Sequence, residues 1–229
     1  MIISIDGPAG SGKSTVADLL ANKLGFIHFN SGSLYRAITA YAIQNNLTPE
    51  TIEPKLPKIK LSVVFVDNFQ HVIINHVDLT EHLREINVSE STPYFSKIKA
   101  VRKIVDDAQR KFALTHNVVI EGRDIGSFVF PNADYKFYLD CSVGIRAKRR
   151  YKEEKSKGVN ISFKEIKQQI IDRDNFDKNK PIAPLVIPEG AIIIDSTHKT
   201  AQKVADKMCK IILKDFKKQE KLCKNQQKQ

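Results

Sequence analysis

A glycine-rich stretch near the start of the chain constrains the fold more than any other feature of the sequence. The apolar residues 2–5 before it predict a short buried strand, and residues 13–24 after it predict a helix with apolar side chains at helical spacing. A strand, a glycine-rich loop and a helix in that order predict a phosphate-binding loop. The stretch fits the pattern G-x-x-x-x-G-K-[ST] in full and consists of Gly7, Pro8, Ala9, Gly10, Ser11, Gly12, Lys13 and Ser14, followed by Thr15.

Each part of this loop has a physical role in holding phosphate. Glycines allow successive backbone N–H groups to turn inward around phosphate oxygens, and the following helix adds its unpaired N–H groups and the positive end of its dipole. We expect Lys13 to reach the β- and γ-phosphates and Ser14 to bind Mg²⁺. Residues 7–15 therefore predict a site for ATP or another nucleoside triphosphate with magnesium, and leave hydrolysis, phosphoryl transfer and switching as alternatives.

The rest of the chain continues an alternation of strands and helices. Further strands are predicted at 26–29, 118–121, 135–140 and 191–195, with helices between them. This order predicts an α/β fold in which five parallel strands are flanked by helices, and ligands bind beyond the carboxyl ends of strands in such a sheet. We therefore expect the loops that follow the five strands to surround one site.

One segment, from about 49 to 95, interrupts the alternation. KLSVVFV and HVIINHV flank Asp67-Asn68 there, which predicts a β-hairpin. We interpret this segment as a small inserted lobe in a single domain of residues 1–215, whose core is formed by 1–48 and 96–215. A strongly basic helix predicts a lid at about 143–162. Residues 216–229 are predicted to be a poorly ordered basic tail.

Composition argues for a soluble, cytoplasmic protein. The 229 residues, 41% of them hydrophobic, are enough for one sizeable core. No apolar run approaches the roughly 18 residues that would span a bilayer, so no membrane partner is expected. Cys141, Cys209 and Cys223 are odd in number and far apart, which argues against a disulfide framework or a structural zinc site.

The net charge of +11 raises nucleic-acid binding as a second class of function. Residues 199–229 hold ten Lys against three acidic residues, so most of the excess charge lies at the end of the chain. A basic tail of this kind is more often solvated than a specific binder. Phe216 apart, it also lacks the aromatic residues of a single-strand platform. We therefore expect no specific nucleic-acid partner.

Arginines recur after the predicted strands. Arg36 lies within a helical turn of the second strand, and Arg123 directly follows the third. Arg146, Arg149 and Arg150 are spaced i, i+3 and i+4 and share one helix face. Such a face is common on solvated helices, but beside a phosphate loop we prefer an arginine lid that neutralises a transferring phosphate. The predicted catalytic residues are Lys13, Arg123, Arg146 and Arg150.

Other charged residues have two possible interpretations each. Arg173 and Asp177 are spaced i, i+4, as in a helix ion pair worth a few tenths of a kcal/mol, and Lys180 follows one turn later. Glu121 ends the strand VVIE, where it either faces solvent or reaches Mg²⁺ directly or through water. A guanine-reading N-K-x-D loop is absent from the sequence, which argues against a GTPase.

Five segments of the chain occur in the order found in bacterial cytidylate (CMP) kinases, a family of nucleoside monophosphate kinases. From about residue 2 to about residue 215 the chain resembles that family. The resemblance implies a monomeric P-loop kinase that transfers the γ-phosphate of ATP to CMP or dCMP with Mg²⁺. The five segments are SIDGPAGSGKST, NSGSLYRA, EGRDIGSFVFPNA, RDNFDKNKPIAPL and IIIDST.

The same resemblance implies a CMP site. Ser31 and Arg36 would hold the monophosphate end, and Arg123 and Asp124 would line the same pocket. Arg102 would meet the pyrimidine. The implied CMP-binding residues are Ser31, Arg36, Arg102, Arg123, Asp124, Arg173, Asp177 and Lys180, with Arg173 and Asp177 at the ribose.

Four positions depart from the family's pattern. Asn30 stands where Asp is usual, Phe176 and Lys180 where Arg is usual, and Pro93 near an expected base-contacting serine. The change at Lys180 replaces a planar fork by a point charge. These departures concern base and phosphate recognition rather than the reaction. A small-molecule P-loop kinase with another acceptor is the alternative that motif chemistry leaves open.

Overall fold

The computed structural model describes the backbone of residues 1–226, with a five-stranded parallel sheet at its centre. The sheet has the strand order β2-β6-β1-β7-β8, and its pairing places Ile3 beside Val119 on one side and Tyr135 on the other. The described strands are β1 (Ile2–Asp6), β2 (Ile27–Asn30), β3 (Leu61–Val66), β4 (Phe69–Ile74), β5 (Val77–Asp78), β6 (Val118–Glu121), β7 (Tyr135–Asp140) and β8 (Ile192–Asp195).

Helices cover both faces of this sheet. In chain order they are α1 (Lys13–Leu24), α2 (Ser31–Gln44), α3 (Ile86–Phe95), α4 (Lys99–Ala113), α5 (Val143–Ser156), α6 (Phe163–Lys178) and α7 (Ala201–Gln226). Short 3₁₀ helices cover Glu53–Lys58 and Thr80–Arg84, and a π-helical turn covers Ile125–Val129. The predicted α/β architecture with five parallel strands is confirmed.

The core is divided by the sheet into two layers, because successive strand residues point to opposite faces. Val119 packs with Leu20 of α1 and Met208 of α7, whereas Ile120 packs with Ile38 of α2 on the other side. Strands that are buried on both faces show the near-continuous apolar runs seen in this sequence.

The segment between α2 and α3 contains the hairpin expected from its turn. β3 and β4 pair antiparallel, and Asp67 and Asn68 join them with φ of 50° and 62°, the left-handed values that a tight hairpin turn requires. Phe65 of β3 packs on Phe29 and Phe112, with ring centroids 6.3 and 5.2 Å away. The segment therefore shares the core on the α2 and α4 side of the main sheet.

The last described element is a long helix. Helix α7 continues to Gln226, and residues 227–229 lie outside the described residues, so the poor order expected of residues 216–229 stays a prediction. Phe216 contacts Tyr135 edge to face at 6.4 Å, and the Lys, Glu and Gln residues that follow are good helix formers. Within residues 1–226, no helix is both long enough and apolar enough to cross a membrane.

Candidate active site

The phosphate-binding loop lies between β1 and α1, against the end of β7. Gly7 has φ of 150°, and a Cβ there would lie 2.3 Å from the Leu139 carbonyl oxygen, so only glycine fits. Gly12 caps α1 in the left-handed region with φ of 92°. The loop thus has the shape that leaves its backbone N–H groups free to surround an anion.

Lys13 is folded into this loop. Its Nζ donates a hydrogen bond to the Pro8 carbonyl at 2.8 Å, and the residue is 4% exposed. Burial lowers the pKa of Lys13 to about 7, and the charge of Arg123 contributes in the same direction, against Glu121 and Asp177. An ammonium group in such surroundings gains from an anionic ligand, since a phosphate would supply the charge that burial removes from water.

Two arginines of α5 brace the same loop. Arg146 is 3% exposed; its Nη1 donates to the Ala9 carbonyl at 2.9 Å, and its guanidinium contacts both carboxylate oxygens of Asp174 at 3.1 and 2.5 Å. Arg149 Nη2 donates to the Ser196 carbonyl at 2.7 Å, and Ser196 Oγ donates to the Ser11 carbonyl at 3.1 Å. In this arrangement the Arg146 charge is compensated by a carboxylate.

Arg150 is different from its neighbours on α5. Its side chain is 48% exposed, and its Nε lies 3.9 Å from the Glu154 carboxylate, the next turn of the same helix. An exposed pair of this kind contributes little to stability. Of the three arginines predicted to share a lid face, Arg150 thus has the most exposed side chain and only a weak ion pair with Glu154.

Asp177 is a buried carboxylate shared by three cations. Arg123 Nε donates to its Oδ2 at 3.0 Å, Arg173 Nε contacts both oxygens at 3.2 and 3.3 Å, and Lys180 Nζ lies 3.8 Å away. Burial acts to raise the pKa of Asp177, but the three cations outweigh it and the pKa is lowered. Three positive charges on one carboxylate leave an excess that suits a phosphate.

Arg36, in the first turns of α2, adds a further positive charge to the cations around Asp177. Burial lowers its pKa, and the charges of Arg123 and Arg173 act in the same direction, with Glu121 opposing them. Ser31, the first residue of α2, is 3% exposed. Asn30 caps that helix by accepting a hydrogen bond from the Ser33 N–H at 3.2 Å, a role in which Asn serves as well as Asp.

The implied base pocket is centred on a buried ion pair. Arg102 Nη2 contacts the Asp124 carboxylate, and both residues are less than 5% exposed. The Arg102 guanidinium also lies over the rings of Tyr35 and Phe128, 5.6 and 5.3 Å from their centroids. Asp106, whose pKa burial raises to about 6, lies 4.0 Å from Arg102. Arg102 Nε is buried and has no hydrogen-bond partner among the described residues.

Several residues that shape the site were missed from the sequence. The Asp6 carboxylate, 0% exposed, accepts hydrogen bonds from the Ile125 and Gly126 N–H groups at 2.8 and 2.7 Å. Asp174 holds Arg146, and Ser196 contacts the phosphate loop at the Ser11 carbonyl. The role of Asp6 could have been inferred from the sequence, because it is an acidic residue at the end of a predicted buried strand. Nothing in the sequence indicated the roles of Asp174 and Ser196.

The residues predicted to hold Mg²⁺ provide suitable donors. Ser14 offers a hydroxyl on the exposed side of α1's first turn, and Glu121 offers a carboxylate that is 7% exposed. No group of three or more His, Cys, Asp or Glu suited to a metal occurs among residues whose side chains are described.

A family model and curated relatives both match nearly the whole chain. The family model described as Cytidylate kinase matches residues 3–214. A cytidylate kinase from Clostridium botulinum (strain Okra / Type B1) is 41% identical over 213 residues, 93% of this chain and 98% of that protein. One from Caldanaerobacter subterraneus subsp. tengcongensis is 41% identical over 215 residues, 94% of this chain and 96% of that protein.

The solved structures that match most of this chain include two shikimate kinases, both with TM-scores below 0.5. The enzyme from Acinetobacter baumannii, in complex with shikimate, is 17% identical, with a TM-score of 0.48 and 93% of each chain covered. The enzyme from Bacteroides thetaiotaomicron is 12% identical, with a TM-score of 0.49 and coverage of 93% of this chain and 98% of that chain. On the family match and the identity to curated relatives, the chain belongs to the cytidylate kinase family and is an ATP-dependent phosphotransferase.

Proposed function

We propose that this chain transfers the γ-phosphoryl group of Mg·ATP to CMP or dCMP, giving ADP and the cytidine diphosphate. The observation that carries the proposal is the group of cations at one sheet edge, where Arg123, Arg173 and Lys180 surround Asp177. Lys13 of the phosphate loop is close enough to Arg123 and Asp177 for their charges to change its pKa. A donor on the loop and an acceptor phosphate on the arginine cluster would therefore face each other.

The proposed reaction needs alignment and charge neutralisation rather than a strong base. The acceptor is a phosphate oxygen that is already anionic, so no proton has to be removed before it attacks. Lys13 and Arg123 would bind the two reacting phosphates and stabilise the charge that spreads over the transferring group. Mg²⁺, held by Ser14 and Glu121, would neutralise further phosphate charge when bound.

The acceptor's other groups would meet the remaining residues of the pocket. Arg36 and Ser31 would hold the monophosphate together with Arg123. Arg173, Asp177 and Lys180 would meet the ribose and phosphate. The Asp124 carboxylate would accept a hydrogen bond from the cytosine amino group while Arg102 donates to the ring. A uracil carbonyl would face that carboxylate with an acceptor, which predicts a preference for cytosine.

The lid arginines divide into two proposed roles. Arg146, bound to Ala9 and Asp174, would hold the phosphate loop in shape and so act as a positioning residue. Arg150 would move from solvent to the transferring phosphate when the lid closes, because its charge has only a weak partner. Lid closure would also exclude water from the reacting phosphates.

ADP production from Mg·ATP with CMP, dCMP, UMP, AMP, GMP and shikimate, each supplied separately, tests the proposal. Turnover with CMP and dCMP far above the others is expected. A strong preference for another acceptor would leave the phosphate loop in place and overturn the cytidylate assignment. Absence of turnover with all six would direct attention to the exposed lysines of α7.

The proposal also includes a cytoplasmic location and a monomeric state. Cys141 and Cys209 are free cysteines, and reduced thiols are usual in the cytoplasm.

A further inference from the structure

Three side chains from two separate parts of the chain meet at the surface of the site. The rings of Tyr94 and Phe176 pack edge to face, with centroids 6.3 Å apart and planes at 72°. Lys97 Nζ lies 4.3 Å from the Phe176 ring centroid and 5.7 Å from that of Tyr94. We call Tyr94, Lys97 and Phe176 the aromatic clasp.

The clasp joins two opposite walls of the proposed CMP pocket. Tyr94 is near the end of α3, which packs against α2, and Lys97 precedes α4, the helix that carries Arg102. Phe176 is on α6, which packs against α5, and directly precedes Asp177. The contact therefore spans from the pyrimidine side of the pocket to its ribose and phosphate side.

This contact is not part of the hydrophobic core. Tyr94 is 58% exposed, and Lys97 is exposed as well. An edge-to-face aromatic pair and a cation over a ring are each worth a modest, geometry-dependent free energy. Such a contact can break and reform without unfolding the core, and its energy is comparable to the free-energy differences between conformations of a mobile protein.

The side chains of Phe176 and Lys97 are chemically complementary. The Phe176 ring attracts the Lys97 ammonium, 4.3 Å from its centroid, through its negative face. An arginine at position 176 would instead face Lys97 with a like charge at short range and repel it. The phenyl ring therefore makes the contact across the two walls attractive.

We propose that the aromatic clasp holds the two walls of the pocket together over bound CMP, so that its members are positioning residues for the acceptor. A ligand that binds the closed arrangement has an apparent affinity reduced by the fraction of molecules that are closed. Opening the clasp therefore weakens CMP binding and leaves the chemistry of the closed complex unchanged. This inference rests on the proposed CMP pocket.

Steady-state kinetics of Phe176→Ala, Tyr94→Ala and Lys97→Gln test the clasp. We expect the KM for CMP to rise about five- to twentyfold for Phe176→Ala and less for the other two, given the energies of such contacts. Changes in kcat and in the KM for ATP are expected to stay within about twofold. The Tyr94→Ala and Phe176→Ala effects should not add in the double variant, because either change removes the same contact.

A charge exchange gives the sharper test. Phe176→Arg alone is expected to raise the KM for CMP at least as much as Phe176→Ala, and adding Lys97→Glu should restore it by forming an ion pair. Restoration by a second substitution is a result that damage to the fold would not give. Phe69→Ala is the matched control, since Phe69 is an exposed aromatic at the hairpin turn, in contact with His71. It should leave both KM values unchanged.

The outcomes separate this inference from the pocket on which it rests. An unchanged KM for CMP in Phe176→Ala, together with a large rise in Arg173→Ala, would overturn the clasp and keep the pocket. An unchanged KM in both variants would overturn the pocket. A loss of kcat equal to the rise in KM, or a Phe176→Arg defect that Lys97→Glu fails to reverse, would also contradict the clasp.

Discussion

Asp6 Oδ1 accepts a hydrogen bond from the Ile125 N–H at 2.8 Å, so the last residue of the central strand holds the loop that carries Asp124. The same carboxylate accepts a second bond from Gly126. The strand end that leads into the phosphate loop thereby also fixes the start of the π-helical turn beside the base pocket. The proposed donor and acceptor sites would thus share one buried carboxylate as a support.

This carboxylate predicts a pH dependence of stability. Burial raises the pKa of Asp6 to about 7, partly offset by the two N–H groups. Because the folded state holds the proton more tightly than the unfolded state, the stabilisation is complete below the unfolded pKa near 4 and is lost as pH rises through about 7. Asp6→Asn cannot ionise, so its free energy of unfolding relative to wild type should increase between pH 4.5 and 7.5. Urea unfolding at both values measures this, and a pH-independent difference would contradict it.

Lys13→Ala should nearly abolish activity without harming the fold. Removal of a preorganised cation at a transferring phosphate costs about 3 to 4 kcal/mol of transition-state stabilisation, or a several-hundredfold loss of kcat/KM for Mg·ATP. Stability should hold or improve, because burial already disfavours this charge and lowers its pKa to about 7. Lys23→Ala is the control, since Lys23 is on the same helix in a half-exposed pair with Asp206. Near-normal turnover of Lys13→Ala would overturn the site assignment.

Asp177→Asn should destabilise the protein in a way that a phosphate anion reverses. The substitution leaves Arg123, Arg173 and Lys180 without their shared carboxylate, and breaking a buried pair in this way costs about 3 kcal/mol or more. Inorganic phosphate supplies the missing negative charge and does not use the ribose contact proposed for Asp177, so it should raise the melting temperature of the variant more than that of wild type. Thermal unfolding with and without inorganic phosphate gives the comparison. Equal shifts in the two proteins would show that the cluster does not hold a phosphate.

Arg146 and Arg150 should respond differently to the same substitution. Arg146→Ala leaves the buried Asp174 uncompensated and is expected to lower stability by about 3 kcal/mol. Arg146→Ala and Asp174→Asn should lower both activity and stability, because both changes release the Ala9 end of the phosphate loop. Arg150→Ala should lower kcat and change stability by less than about 0.5 kcal/mol, as expected at an exposed site. A kcat defect in Arg146→Ala with no loss of stability would favour direct catalysis by Arg146.

The parts of the fold that depend on short stretches of sequence were predictable from those stretches. The apolar run before Asp6, the glycines of the loop and the Asp67-Asn68 turn each determine their own backbone geometry. Helix α3 was not predicted because it contains Pro93 and alternates short polar residues with apolar ones, so it shows no clear helical period. The poorly ordered tail from residue 216 was inferred from composition alone and stays a prediction, although its Lys and Gln residues are good helix formers.

Residues of the candidate site were predictable as types but not as partners. Arg173 and Asp177 were recognised by their spacing within one helix, but the Arg123 contact with Asp177 joins residues 54 positions apart. The Asp6 and Asp174 contacts likewise depend on tertiary placement. The periodicity of the sequence does not indicate which of several arginines will contact a given buried carboxylate. That pairing depends on how α5 and α6 pack onto the sheet edge.

The order of strands in the sheet has a consequence for biosynthesis. In the order β2-β6-β1-β7-β8, a nascent chain has the three inner strands and the edge strand β2 once β7 has emerged, with the other edge strand, β8, still to come. At that stage Arg36, Arg102, Arg123 and Asp124 are present, but Asp177 is not yet synthesised. A growing chain therefore has four of the five sheet strands before the cluster around Asp177 can form on α6, and β8 and α7 are made after α6.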